Sequence, residues 1–223
     1  MRIIHRLITA SCGIHSADQA SIVAVPIVAS ALFDASPEAI GVLVAAQSIA
    51  HLLGSIPFGL VVDKLPLKSA ALLATIISFL AFCGVTVGVI YGSLLMFGIT
   101  ILVSSFGIVL YSLVVLSIVP IISKTDQLSE TNARLEIPRS IAAFVIPLTI
   151  GVVAVQDASA VIFSLAAISA LIAVMAIVQL PELPVFTRPK GSSFQLILDA
   201  GRYIFKHDLL RPITACALFW NVA

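Results

Sequence analysis

The chain has 223 residues, of which 60% are hydrophobic and 10% are charged, and its formal net charge is +1 at pH 7. Soluble domains carry about 25% charged residues, so the mean hydropathy of +1.17 excludes a water-soluble fold, whose surface could not hide this much apolar area. The small net charge gives no indication of a nucleic-acid partner. The apolar surface is instead expected to face lipid.

Six apolar runs follow one another along the chain, each with the roughly 20 residues that a helix needs to cross a bilayer. Charges and turn residues bound these runs at 7–33, 38–62, 69–90, 94–119, 138–156 and 159–180. The first run follows two arginines, as in a signal peptide, but it exceeds a signal's apolar region of about 7–15 residues. We therefore expect an uncleaved first span, and residues 1–181 are predicted to form a six-helix transmembrane bundle.

Two turns between these spans carry clear local signals. Residues 34–38 include Ser36 and Pro37, which are suited to cap and begin the second helix. The stretch 69–123 contains no charged residue or histidine and is long enough for two spans, with Tyr91-Gly92-Ser93 as its most turn-like point. This stretch is predicted to be a helical hairpin.

The orientation of the bundle follows from its lysines and arginines, because cytoplasmic loops hold an excess of them. With six spans, all twelve fall in segments on one side, whereas the opposite turns contain only Asp34, Glu38 and Asp157. The twelve are Arg2, Arg6, Lys64, Lys68, Lys124, Arg134, Arg139, Arg188, Lys190, Arg202, Lys206 and Arg211. Both ends of the chain are therefore predicted to be cytoplasmic, in a multi-pass protein of the cell (inner) membrane.

The composition changes after Pro181. Residues 182–208 are predicted to form a cytoplasmic linker with an amphipathic helix, in which apolar side chains recur at helical spacing between 192 and 207. Residues 209–223 become apolar again and match about half of a seventh span. We expect this to be the beginning of a truncated seventh span, so the sequence has the pattern of a partial chain.

The segment 59–68, GLVVDKLPLK, lies between the second and third spans and resembles the loop signature of the major facilitator superfamily, G-x-x-x-D-R-x-G-R-R. The matching residues are Gly59, Asp63, Lys64 and Lys68. Pro66 replaces the family's glycine and Leu67 replaces a basic residue. The alternative explanation is an Asp-Lys pair at a cytoplasmic helix end that obeys the positive-inside rule.

The resemblance covers essentially the whole chain and is closest to the multidrug, macrolide and siderophore exporters. Such proteins have twelve spans in two six-helix halves that move against each other around a midplane site. The resemblance implies that this chain supplies the amino-terminal half of a transporter, with Asp63 helping to latch the halves together. Arg134, Glu136 and Arg139, at the start of the fifth span, are candidates for the same charge network, and a solvated helix entrance is the alternative.

Many proton-coupled exporters carry a G-x-x-x-G-P-x-x-G-G pattern in the fifth span, where the glycines allow close helix packing and the proline bends the helix. In this sequence Pro147 and Gly151 match that pattern, while Ala142, Ile146 and Ile150 occupy other glycine positions. The resemblance to proton antiporters is therefore partial, and Pro147 is equally explained as an ordinary membrane-helix proline.

Ionisable residues inside membrane spans are costly and are functional candidates by default. At about 1.5 Å per residue, Asp18 lies roughly 16 Å beyond Leu7, near the bilayer midplane, and His51 in the antiparallel second span reaches a similar depth. The candidate substrate or proton-coupling residues are Asp18, Gln19, His15, Gln47 and His51. We expect Asp18 to carry the proton, because carboxylates and histidines in such sites can bind and release one; a structural role in helix packing is the alternative.

Secondary active transport, as proton-coupled efflux of a small molecule by alternating access, is the leading hypothesis. A truncated, non-transporting membrane protein, or a half-transporter that needs a carboxyl-terminal half or partner chain, is the second. An intramembrane enzyme is less well supported, because the chain lacks H-E-x-x-H and G-x-S-x-G motifs. No cofactor is expected, and the spacing of Cys12, Cys83 and Cys216 suggests neither a disulfide framework nor a metal site.

Overall fold

The computed structural model describes residues 2–154, 159–183, 202–203, 205–214 and 216. Over these residues the chain forms six long α-helices and no strand. The helices are α1 (Arg2–Ala31), α2 (Pro37–Lys64), α3 (Leu67–Ile90), α4 (Leu94–Ile122), α5 (Leu128–Ala154) and α6 (Ser159–Val178). A short 3₁₀ helix, Thr125–Gln127, lies between α4 and α5.

All six helices are long and apolar enough to cross a bilayer. The predicted all-α fold with six transmembrane helices is therefore confirmed for the part of the chain that the structure describes. Successive helices run in opposite directions, so α1, α3 and α5 begin at the same end of the bundle. Arg6, Lys64, Lys68, Lys124 and Arg134 lie near that end, which we call the basic end.

The fifth helix begins earlier than the apolar pattern predicts, at Leu128 rather than at 138. Its first three turns are polar and end at Pro138, which lies inside the helix, as does Pro147. Glu130 and Arg134 form an ion pair one turn apart, with 2.6 Å between Oε1 and Nη2. Pairs at this spacing stabilise a solvated helix end, so the helix extends beyond the apolar segment.

The turns between helices form as their residue types predict. The side chain of Ser36 accepts a hydrogen bond of 3.3 Å from the backbone N–H of Ala39, and Pro37 is the first residue of α2. Ser93 caps α4 in the same way through Met96 N–H, at 3.4 Å. Gly92, which precedes it, has φ of +65°, a left-handed conformation that glycine adopts without steric cost.

The core forms where α1, α3, α4 and α6 pack against one another. The Phe97 ring of α4 contacts Phe33 at a centroid distance of 5.1 Å and Phe163 of α6 at 5.4 Å. Close approach also depends on Gly13 of α1, where an added methyl group would clash with the backbone carbonyl of Ser169 in α6. Small residues at such contacts are typical of membrane helix interfaces, where tight packing replaces a hydrophobic driving force.

Helices α2 and α5 are the least covered members of the bundle. Only 22% of the residues in the apolar window of each are buried, compared with 44–50% for the other four helices. Leu52 and Leu53 of α2 and Phe144 and Leu148 of α5 are 60–72% exposed. These helices therefore present long apolar faces that the rest of the bundle does not cover.

The region from Phe186 to Ala223 forms a second compact unit, of which the structure describes residues 202–203, 205–214 and 216. Within these residues the backbone N–H of His207 donates to the carbonyl of Tyr203 at 3.0 Å, and helix resumes over 210–214. Most of the predicted linker and amphipathic helix (182–208) and of the predicted seventh-span segment (209–223) lies outside the described residues.

Candidate functional site

The ionisable residue deepest in the first span lies between three helices. Asp18 is half-buried on α1, and the charged groups that act on its carboxylate are His51 of α2 and Arg139 of α5. Asp18 and His51, which the sequence placed at a similar depth, therefore lie within electrostatic range of each other. The structure adds Arg139, which the sequence analysis assigned to the span entrance.

Two hydrogen bonds orient the polar side chains that α2 contributes to this site. The Gln47 amide Nε2 donates to the hydroxyl of Ser21 on α1 at 2.7 Å, and both side chains are buried. One turn later, Nδ1 of His51 lies 2.9 Å from the carbonyl oxygen of Gln47. Because a carbonyl only accepts, Nδ1 is the donor in this contact. We call Asp18, Ser21, Gln47, His51 and Arg139 the midspan cluster.

His15 lies one turn nearer the basic end on α1. Its Nδ1 is buried and has no hydrogen-bond partner within the described structure. Its ring meets the Tyr111 ring edge-on, with 6.5 Å between centroids and 76° between planes. The charge of Arg139 acts on His15 as well as on Asp18, so this arginine links His15 electrostatically to the midspan cluster. Gln19, the other predicted neighbour of Asp18, is half-buried on α1.

Tyr111 of α4 brings a further hydroxyl group to this region. Its side chain is fully buried, and its hydroxyl lies 3.0 Å from Oγ of Ser11 on α1. The same hydroxyl is 3.4 Å from the carbonyl oxygen of Leu7. The pair holds α4 to α1 with polar atoms inside an otherwise apolar interface.

A cavity of about 300 Å³ opens between α1, α4 and α5 beside these residues. We call it the basic-end cavity. Its lining consists of Ser11, His15, Tyr111, Ser112, Val115, Leu116, Val119, Asn132, Leu135, Glu136 and Arg139. Arg139 therefore contributes both to the cavity and to the electrostatic environment of Asp18, because α5 passes both places.

The three charges at the start of the fifth helix do not form one group. Arg134 pairs with Glu130, both exposed, and does not line the cavity. Glu136 and Arg139 both line the cavity, and their Oε1 and Nη1 atoms are 3.8 Å apart. The side chains that were expected in one charge network are thus divided between the helix surface and the cavity.

The loop-signature residues lie at the end of α2 and the start of α3. Asp63 is half-buried and Lys64 is exposed in the last turn of α2, and an added methyl group at Gly59 would meet open space. Nζ of Lys68 is 3.2 Å from Oε1 of Glu182, just beyond α6. This ion pair joins the signature to the end of the same six-helix bundle, a partner that the sequence pattern did not indicate.

The remaining predicted features are in α5. Pro147 lies within the helix, and an added methyl group at Gly151 would also meet open space, so no neighbouring helix packs closely there in the described bundle. Among the described residues, no three His, Cys, Asp or Glu side chains come together as a metal-binding group.

The site residues that the sequence analysis missed are Ser11, Ser21, Tyr111 and Asn132. The sequence does indicate Ser11, because Ser11, His15 and Asp18 are spaced four and three residues apart and therefore share one face of α1. Tyr111 interrupts an apolar helix with a hydroxyl, which usually finds a partner when buried. Asn132 was not considered a site residue, because it precedes the apolar part of the fifth span, which begins at 138.

The family model for the Major Facilitator Superfamily matches residues 7–223. The chain therefore belongs to this superfamily, whose members are generally membrane transporters rather than enzymes. The six helices have the all-α architecture of the amino-terminal half of that fold, as the loop signature predicted. Comparison with curated protein sequences gives no match.

Proposed function

We propose that this chain forms half of a secondary active transporter that exports a small molecule in exchange for protons by alternating access. The observation that carries the proposal is the position of Asp18, which lies in the fields of His51 and Arg139 within a bundle of apolar helices. Ionisable residues at this depth usually line substrate or proton pathways. The resemblance to proton-coupled exporters supports the direction of transport.

The chemistry of the midspan cluster suits a reversible proton site. When Asp18 is ionised, the positive charge of Arg139 helps to compensate its negative charge. When Asp18 is protonated, the same region carries a positive charge, which favours a different arrangement of the surrounding helices. Proton uptake and release therefore change the balance between two conformations, which is what coupling requires.

The exposed faces of α2 and α5 support a two-part transporter. Both helices contribute to the midspan cluster, yet they are the least covered in the bundle. In the proposed transporter a second six-helix bundle, from the same protein or from a partner chain, packs on these faces and closes the site. Lipid covers the outer faces of α3 and α6, and the basic end faces the cytoplasm of a cell whose inner membrane holds the protein.

The test compares metabolites and added drugs inside and outside cells that express the complete gene with those in cells that lack it. We expect expression to lower the internal level of at least one compound, and a protonophore to abolish the difference. Asp18→Asn should abolish it without reducing the amount of protein in the membrane. Asp34→Asn is the matched control, because Asp34 is an exposed carboxylate in the α1–α2 turn.

Two results would contradict the proposal. Unchanged proton-driven export by Asp18→Asn would remove the coupling role of Asp18. Equal compound levels in cells with and without the gene, across the full set of compounds, would argue against transport and favour a non-transporting membrane protein.

A further inference from the structure

We infer that the basic-end cavity binds a small zwitterion, with an ammonium and a carboxylate on neighbouring atoms and a short aliphatic side chain, as in an aliphatic α-amino acid. The inference deepens the proposed function and rests on it for the role of this ligand as the transported molecule. The charges and the lining of the cavity define the binding site itself.

The cavity has two walls of different character. Val115, Leu116 and Val119, on consecutive turns of α4, form an apolar wall. The other is formed by the polar side chains of α1 and α5 together with Tyr111 and Ser112 of α4, and it also includes the apolar Leu135. Small-molecule sites commonly combine an apolar lining with a few polar groups that fix orientation, so the ligand expected here has one polar end and one aliphatic end.

The charges of the polar wall select the polar end of the ligand. Glu136 and Arg139 lie one turn apart on α5, and their closest charged atoms are 3.8 Å apart. This is a loose ion pair, and both side chains remain more than half exposed, so the pair itself contributes little to stability. A ligand with both charges can place its carboxylate on Arg139 and its ammonium on Glu136 at once. A ligand with a single charge would be repelled by one member of the pair.

His15 supplies an additional contact for the ligand. Its Nδ1 is buried without a hydrogen-bond partner in the described structure, and the residue lines the cavity. Because this nitrogen is shielded from the cavity, a ligand contacts the part of the imidazole ring that lines the cavity instead. The side-chain amide of Asn132, on the same wall, can donate to or accept from the same polar end.

The size of the cavity limits the ligand. At about 300 Å³, it lies at the lower end of the range for small-molecule sites, roughly 300–1,000 Å³. This volume suits a molecule the size of an aliphatic amino acid. The cavity therefore favours a metabolite over the large substrates that some exporters carry.

The experiment measures equilibrium binding of radiolabelled L-leucine to the purified full chain in detergent. Unlabelled leucine, 3-methylbutylamine and 4-methylpentanoate serve as competitors, because the last two keep the side chain and only one of the two charges. We expect saturable leucine binding that leucine displaces and that neither analogue displaces at the same concentration. Glu136→Gln and Arg139→Gln should each weaken leucine binding about tenfold to a hundredfold.

A gain of binding distinguishes the proposal from damage to the fold. Glu136→Gln removes the carboxylate that repels an anion, so this variant should bind 4-methylpentanoate more tightly than the unaltered protein does. Glu130→Gln, which breaks the other ion pair of α5 outside the cavity, should leave leucine binding unchanged.

Absence of saturable leucine binding, equal displacement by a singly charged analogue, or unchanged binding in Arg139→Gln would overturn the inference. Binding is measured without a proton gradient, so its failure leaves proton-driven export to be judged by the cell experiment. Conversely, a protein that binds leucine but exports nothing would support the binding site and contradict the proposed transport function.

Discussion

The side-chain amide of Gln47 on α2 donates a 2.7 Å hydrogen bond to the hydroxyl of Ser21 on α1, and both groups are buried. This bond lies between a well-packed helix and one that the rest of the bundle barely covers. It therefore fixes the side of α1 that α2 faces and, with it, the distance between Asp18 and His51.

Ser21→Ala should destabilise the bundle by about 0.6 kcal/mol, the average measured for side-chain hydrogen bonds between membrane helices, and by no more than about 1.7 kcal/mol, the largest value. The reason is that the Gln47 amide loses its buried partner. The measurement is the free energy of unfolding in mixed detergent micelles. Ser48→Ala is the control, because the Ser48 hydroxyl is exposed and bonds to the carbonyl of Val44 in its own helix; a loss of the same size in the control would contradict the assignment.

Gly13→Ala should destabilise the protein by about 1 to 3 kcal/mol, the usual cost of overpacking a close contact. The added methyl group meets the backbone carbonyl of Ser169, which cannot move without displacing α6. Gly41→Ala, where the methyl group meets nothing within 4 Å, should be neutral or slightly stabilising, because alanine is the better helix former. Melting temperatures of the two variants in the same detergent provide the test, and equal shifts would argue against the α1–α6 contact.

Breaking the ion pair between Lys68 and Glu182 should have a small effect, less than about 1 kcal/mol. The two atoms are 3.2 Å apart, but the Glu182 side chain is 77% exposed, so water and salt screen the attraction. A double-mutant cycle of Lys68→Gln and Glu182→Gln measures the coupling. This coupling should fall further in 0.5 M salt than in dilute buffer, because salt shortens the screening length. A coupling that salt leaves unchanged would show that the pair is shielded from water in the membrane-bound protein.

The proposed orientation predicts opposite reactivities for two introduced cysteines. With Cys12, Cys83 and Cys216 replaced by alanine, Glu38→Cys at the start of α2 should react with a membrane-impermeant thiol reagent added to intact cells. Asp126→Cys, in the 3₁₀ helix at the basic end, should react only after the cells are opened. Both positions are exposed in the structure, so the reverse result would invert the orientation rather than indicate burial.

Much of the fold follows from the sequence because lipid imposes a simple rule: each span must be a long apolar helix. Ser36 and Pro37 begin α2, and Ser93 caps α4, at the positions that their residue types predict. The start of α5 could not be found in this way, because its first three turns are polar and contain Pro138. Apolar length identifies the part of a helix that crosses the membrane, whereas the solvated turns depend on ion pairs such as Glu130–Arg134.

The candidate site is less accessible to sequence reasoning. A depth calculation placed Asp18 and His51 at one level, since the rise per residue of a helix is fixed. The depth of a residue could not assign Arg139 to the midspan cluster or to the basic-end cavity. That assignment depends on which face of α5 packs on α1. The basic-end cavity also depends on helix packing, because it lies where Tyr111, His15 and Arg139 leave space between three helices. The residue pattern of any one helix therefore does not predict it.

The location of the basic-end cavity within one bundle has a thermodynamic consequence. Within the described part of the chain its walls come from α1, α4 and α5, so a ligand held there moves with the bundle as a rigid body. Its affinity would then be nearly the same whichever side of the membrane the transporter faces. A ligand that binds two states equally cannot shift their equilibrium, so any concentration gradient of the zwitterion would have to be driven by the proton at Asp18.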